Sequence, residues 1–128
     1  MRPMRIKSKR LLLRPLLLFH ILQGPVHGYN LLEQLAECGL ADINPSLIYR
    51  ALHNMQLDGL IESRWEGSES MGPPRRIYTA TPKGRRFFDQ KMTELETTRD
   101  QIDKLLAAYA GLRNAGFPLR KEVENDHE

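Results

Sequence analysis

Ser46, Tyr49, Arg50 and His53 recur at three- and four-residue spacing within NPSLIYRALHNMQLDGL, residues 44–60. On a helix such positions share one face. A serine hydroxyl and a tyrosine phenol can each donate one hydrogen bond to a phosphate oxygen. The arginine fork can take guanine O6 and N7 together, worth about 1–3 kcal/mol of discrimination, or can anchor on a phosphate. Roughly opposite runs a second stripe of Ile48, Ala51, Leu52 and Met55, which suffices to pack the helix on a core. The polar stripe therefore asks for a partner outside the chain. Asn44 and Pro45 ahead of it read as a helix cap and a first helical residue.

Charge placement names the chemistry of that partner. The net charge is only +3, so distribution matters more than the total. Residues 1–20 carry Arg2, Arg5, Lys7, Lys9, Arg10 and Arg14 without an acid, and PPRRIYTATPKGRR at 73–86 is a second acid-free basic cluster. Two basic clusters flanking the striped helix point to a polyanion. Arg75 and Arg76 follow Pro73 and Pro74, which stiffen the chain there. Adjacent strand residues face opposite ways, so one arginine is expected to face the polyanion and the other not. Lys83, Arg85 and Arg86 fall in the first turns of a helix, where the dipole disfavours cations, a mild argument for an external anion. Arg5, Lys7, Lys9 and Arg10 could track phosphates or simply form a disordered start.

The elements that must position these residues follow from periodicity. A first helix is expected from near Pro15, carrying Leu16, Leu17, Leu18, Phe19, Ile21 and Leu22 to a stop at Gly24-Pro25. A second, within VHGYNLLEQLAECGL at 26–40, carries Tyr29, Leu32, Leu35 and Ala36 at helical spacing and ends near Gly39. The third runs from about 45 to 58 and ends at Asp58-Gly59. The period then changes: LIESRWE alternates, and RRIYTA at 75–80 is rich in strand formers. Between them GSESMGPP is too long for a tight turn and predicts a hairpin with an extended, mobile tip. Three helices followed by a two-stranded hairpin is the layout of a winged helix-turn-helix, whose third helix enters a major groove.

Thr81-Pro82 starts a further helix that can continue to about Gly111. Phe88, Met92, Leu95, Arg99, Ile102, Leu106 and Tyr109 alternate at four and three, a heptad seam with one polar intruder. A helix of roughly 45 Å at 1.5 Å per residue cannot bury that seam on so small a domain. The expected partner is a second copy of the chain; the alternative is a helix folded back on its own core. Arg99 would set the register or pair with Glu96, Asp100 or Asp103.

GPVHGYNLLEQL (24–35), NPSLIYRALHNMQLDGLIES (44–63) and GPPRRIYTATPKGRR (72–86) resemble, in order and spacing, the PadR family of bacterial transcriptional regulators. The pieces correspond to that family's Gly-Pro-x-His-Gly-Tyr turn, its Ser-x-x-x-Tyr-x-x-Leu recognition helix, and its Gly-Pro-x-Arg-x-Tyr wing strand leading into Leu-Thr-x-x-Gly. The resemblance covers about residues 15–90. It implies a homodimeric repressor of double-stranded DNA, in the branch where one long C-terminal helix makes the dimer. Three departures stand out: Arg14-Pro15 where the family often has Gly-Thr, Arg50 where it often has proline, and Ala80 where leucine is usual.

The expected architecture is mainly α with a small β-hairpin: a basic arm at 1–14, a winged helix-turn-helix at 15–80, a dimerisation helix at 81–113 and a disordered tail at 114–128. Ser46, Tyr49, Arg50, His53, Arg75, Arg76 and Lys83 are the expected DNA contacts. A small-molecule effector that tunes dimer spacing belongs to the same reading. Trp65 is expected in the core, with the lining of a ligand cavity between wing, helix and dimer helix as its alternative. A winged-helix adaptor without DNA is the competing class, but its interface should offer apolar anchors where this chain has Tyr49, Arg50 and His53. No paired carboxylates, nucleophile–base pair or phosphate-binding glycine loop speaks for an enzyme. His20, His27 and His53 are too scattered for a metal set, and no cofactor is expected. The lone Cys38 excludes an internal disulfide, fits a reducing, cytoplasmic setting and is expected as a buried thiol. The run LLLRPLLLFHIL at 11–22 is broken by Arg14 and Pro15, which argues for a core helix rather than a membrane span or a signal.

Overall fold

The first helix begins earlier than its proline. The computed structural model describes residues 6–40, 42–67 and 75–116, and in it helix α1 spans Ile6–Ile21 with Pro15 inside. Pro15 is buried. The leucine stripe of Leu13, Leu17, Leu18 and Ile21 goes into the core, and that burial outweighs the one backbone hydrogen bond a mid-helix proline removes. The start expected near Pro15 is thus nine residues too late. Arg5 lies outside the described residues, as do the side chains of Lys7, Lys9 and Arg10.

After Gly24-Pro25, where the second helix is expected to begin, the chain forms a strand instead, β1 at Val26–His27. Two residues are too short to show alternation, and β1 exists because it pairs with a strand some fifty residues later. Helix α2 follows at Gly28–Leu35 and runs into one wide turn, Ala36–Leu40, where Gly39 takes φ 90° and ends it. The buried side of α2 is Gly28, Leu31 and Leu35, while Tyr29 and Ala36 are exposed. The apolar stripe expected through Tyr29 and Ala36 is therefore rotated, because Tyr29 is drawn to the sheet instead.

Helix α3 spans Pro45–Leu57, capped by Asn44, whose side chain accepts from the Ser46 N–H at 2.9 Å. Strands β2 (Ile61–Glu66) and β3 (Arg75–Ala80) stand as expected, and the antiparallel sheet has the order β1-β3-β2. Ile61 faces Ala80, Ser63 faces Tyr78 and Trp65 faces Arg76 on one side of the hairpin; Glu62, Arg64 and Glu66 share the other with Thr79, Ile77 and Arg75. The expected mobile tip, with Pro73 and Pro74, lies outside the described residues.

Helix α4 spans Pro82–Asn114. Its cap is Thr81, whose hydroxyl donates to the Gly59 carbonyl at 2.6 Å and accepts from the Gly84 N–H at 3.0 Å. Gly84 is buried against Leu60, and a Cβ there would overlap the Leu60 carbonyl oxygen. Glycine is required by that close approach.

The chain divides into two units, Met1–Met92 and Thr93–Glu128. The first holds a core of Leu13, Leu17, Leu18 and Ile21 with Leu31, Leu35, Ile43, Ile48, Leu52, Met55, Leu60, Ile61 and Tyr78; Phe87 and Phe88 pack on it. In the second, Ile102, Leu105, Leu106, Tyr109 and Leu112 are 40–69% exposed. α4 reaches Asn114, the first residue of the expected tail; residues 117–128 are outside the described set.

Candidate nucleic-acid interface

The two stripes of α3 separate as their residue types dictate. Ile48, Leu52 and Met55 are buried, and Ser46, Tyr49, Arg50 and His53 are exposed. Asn44 serves as the cap and Ser46 lends it a backbone N–H, which leaves the Ser46 hydroxyl on the open face. Tyr49 is 45% exposed yet anchored at its ring edge: a Cβ on Gly28 would lie 3.4 Å from Tyr49 Cε1 and 3.3 Å from Tyr78 Cε2. The missing side chain of Gly28 lets both rings close over the β1–α2 junction. Burial pushes the Tyr78 phenol above the usual tyrosine range, with nearby Arg76 pulling it down and Tyr49 pushing it up.

The two wing arginines face opposite ways, as strand geometry requires. Arg75 is exposed; its guanidinium lies 5.5 Å from the centre of the Tyr29 ring and donates to the Tyr29 hydroxyl at 3.1 Å. Tyr29 in turn stacks on His27 at 5.9 Å, so the wing is tied to the entry of α2. Nδ1 of His27 is buried without a hydrogen-bond partner. Arg76 is half-buried, donates to Ser63 Oγ at 2.7 Å and lies 4.4 Å over the Trp65 ring. The Ser63 hydroxyl donates onward to Gln56 Oε1 at 2.8 Å. Trp65 shares the side of Ile61, but it sits beyond the core and is 63% exposed. The expectation of a core tryptophan fails because the β2–β3 hairpin reaches past the helices, and Arg76 covers the ring in their stead.

Lys83 is used within the fold. Its Nζ donates to the Asp58 carbonyl at 2.8 Å, placing a cation on the last turn of α3. The Asp58 carboxylate meets Arg14 at 3.2 Å, which gives the departure at Arg14 a role joining α1 to α3. Arg85 pairs with Asp89 at 3.3 Å, and Arg86 is exposed. Arg99 of the seam meets Asp100 at 3.4 Å.

Cys38 is exposed, against the expectation of a buried thiol, because it falls in the wide turn after α2 rather than on that helix's inner face. Its Sγ lies 3.8 Å from His20 Nε2. Burial holds His20 below the usual histidine range, and Glu37 acts against that shift. Among the described residues no three His, Cys, Asp or Glu side chains group as a metal site would require, and no helix is long and apolar enough to cross a membrane.

From sequence Tyr29 reads only as part of an apolar stripe, and Gln56 and Ser63 do not stand out. Gln56 could have been found, since it continues the polar stripe three residues after His53; the other two needed the register of the sheet.

Residues 17–90 match the model of the transcriptional regulator PadR-like family. The chain is 33% identical over 86 residues to the transcriptional regulator Rv3488 of Mycobacterium tuberculosis, covering 67% of this chain and 78% of that protein. Among solved structures it resembles a PadR-like transcriptional regulator of Bacillus cereus (27% identity, TM-score 0.69, 78% of this chain and 96% of that one). It also resembles a PadR family regulator of Eggerthella lenta (28% identity, TM-score 0.69, 79% and 87%).

Proposed function

The chain belongs to the PadR-like family of transcriptional regulators, and from that premise we propose that it is a repressor that binds a palindromic operator as a homodimer. One observation carries the reading: α3 buries Ile48, Leu52 and Met55 while presenting Ser46, Tyr49, Arg50 and His53 on its open face. In this reading α3 enters the major groove. Ser46 and Tyr49 hold phosphates, and Arg50 reads a guanine or anchors on the backbone beside it. Arg75, exposed on the hairpin, adds a phosphate contact from the wing.

The unit beyond Met92 supports the second copy in this reading. Ile102, Leu105, Leu106, Tyr109 and Leu112 form an exposed apolar row, wider than the seam of Ile102, Leu106 and Tyr109 because Leu105 and Leu112 flank it. Water contact along such a row is unfavourable, and pairing with the same row on another copy removes it.

Selection of bound sequences from a random DNA pool tests the reading. The expected result is a two-fold symmetric consensus with a fixed spacing between its halves. Recovery of no consensus, or of an asymmetric one bound by a single chain, overturns it.

A further inference from the structure

The polar stripe of α3 extends one residue further than DNA reading needs. Gln56 lies three residues beyond His53, and its side chain turns to the sheet, where Oε1 accepts from the Ser63 hydroxyl at 2.8 Å. Ser63 Oγ accepts in its turn from Arg76 at 2.7 Å. The Arg76 guanidinium lies over the Trp65 ring at 4.4 Å. These contacts make one directional chain, from Arg76 on β3 through Ser63 on β2 to Gln56 on α3, closed at the outer end by an indole.

We propose that Arg76 is a positioning residue for operator recognition, fixing the β2–β3 hairpin at one angle to α3 through Ser63 and Gln56 rather than by touching DNA. The proposal rests on the DNA-binding reading above. A hairpin that leaves the body by two strands can rock, and a protein that engages α3 and wing together needs a fixed distance between them. Bracing in the free protein removes an ordering cost that binding would otherwise carry. The residue types fit that task. Arginine supplies a planar fork that donates and stacks at once, which a lysine cannot do. Successive donor–acceptor links polarise one another. Tyr78, directly opposite Ser63 in the ladder, is buried beside Arg76 and Tyr49. Arg75, by contrast, faces the other side of the sheet, where it meets the Tyr29 ring and hydroxyl.

The test is a double-mutant cycle of Ser63→Ala and Arg76→Lys. It is read as affinity for the duplex recovered by selection with the wild-type chain, across a series of salt concentrations. Each single change should weaken binding about fivefold or more, and the double should be no weaker than the worse single, as members of one network behave. The slope of log affinity against log salt should stay at its wild-type value in both, since no phosphate contact is lost. Ser63→Thr, which keeps the hydroxyl, should bind as wild type. In the free protein, the fluorescence anisotropy of Trp65, the sole tryptophan, should fall in Arg76→Lys because the ring is released. Additive losses with unchanged anisotropy overturn the brace. So does a full-affinity Arg76→Lys paired with an Arg76→Gln whose salt slope drops by about one, the mark of a phosphate contact. A wild-type chain that binds no duplex sinks the functional reading together with this one, whereas wild-type binding with an additive cycle sinks this one alone.

Discussion

The units on either side of Met92 treat their apolar residues in opposite ways. In the first, Leu17, Leu18, Leu31, Leu35 and Leu52 are at 0% exposure, shared among three helices and the sheet. In the second, Leu105 is at 69% and Leu106 at 58%. The chemistry of the side chains is the same, so the difference lies in what each unit can reach. The first unit completes its core from its own elements. The second offers an exposed apolar row, which in the proposed reading is where a second copy packs.

Substitutions of the same type in the two units sharpen the comparison. Leu52→Ala should destabilise the first unit by about 2–5 kcal/mol, since it removes three buried carbons and leaves a cavity; chemical denaturation followed through Trp65 measures it. Leu105→Ala should leave that stability unchanged and weaken self-association instead. Equal losses of folding stability from both would erase the distinction.

A larger change in the second unit isolates association from folding. Leu95→Asp/Ile102→Asp places two carboxylates in the seam and should give a monomer by light scattering while the far-UV signal and melting of the first unit persist. An unchanged mass would mean that the row is not the interface.

Smaller effects test the joints of the first unit. Lys83→Ala removes the ammonium that closes the last turn of α3 on the Asp58 carbonyl and should cost about 1 kcal/mol, the scale of a helix-terminal interaction. The effect on operator affinity at fixed salt should be slight if Lys83 serves the fold, and large if it leaves Asp58 for a phosphate. The smallest effect concerns His20. Its pKa in the fold lies below 6.5, so the unfolded chain takes up the proton first. Stability is then fully present above about pH 6.5 and declines as pH falls from there toward the lower folded value. His20→Gln should flatten that decline in denaturation curves taken across the range, and an identical decline would clear His20 of it.

How far the sequence foretold this follows from the range of each interaction. Local signals held: Asn44-Pro45 and Thr81-Pro82 start helices, Gly39 and Gly59 end them with positive φ, and the alternation of 61–66 makes a strand. These depend on neighbours within a few residues. What failed depended on distant partners. β1 is defined by β3, the exposure of Tyr29 by Arg75, and that of Trp65 by how far the hairpin extends past the helices. Pro15 misled because a rule about one hydrogen bond was set against a leucine stripe whose burial dominates. On α3, the exposed stripe of Ser46, Tyr49, Arg50 and His53 was legible since both its spacing and its opposite face are local. That Arg75 and Arg76 face opposite ways was legible; that Arg75 meets Tyr29 of α2 while Arg76 meets Ser63 and Trp65 of β2 required the structure.

In the proposed function the open face of α3, with the basic residues around it, meets a polyanion. Fluorescence-anisotropy titration of the selected duplex between about 50 and 200 mM salt tests it most directly. The claim predicts a linear fall of log affinity with log salt, with a slope reporting several neutralised phosphates, and a shallower slope in Arg50→Ala/Arg75→Ala. Affinity that stays constant across that range, or a double variant with the wild-type slope, would contradict it.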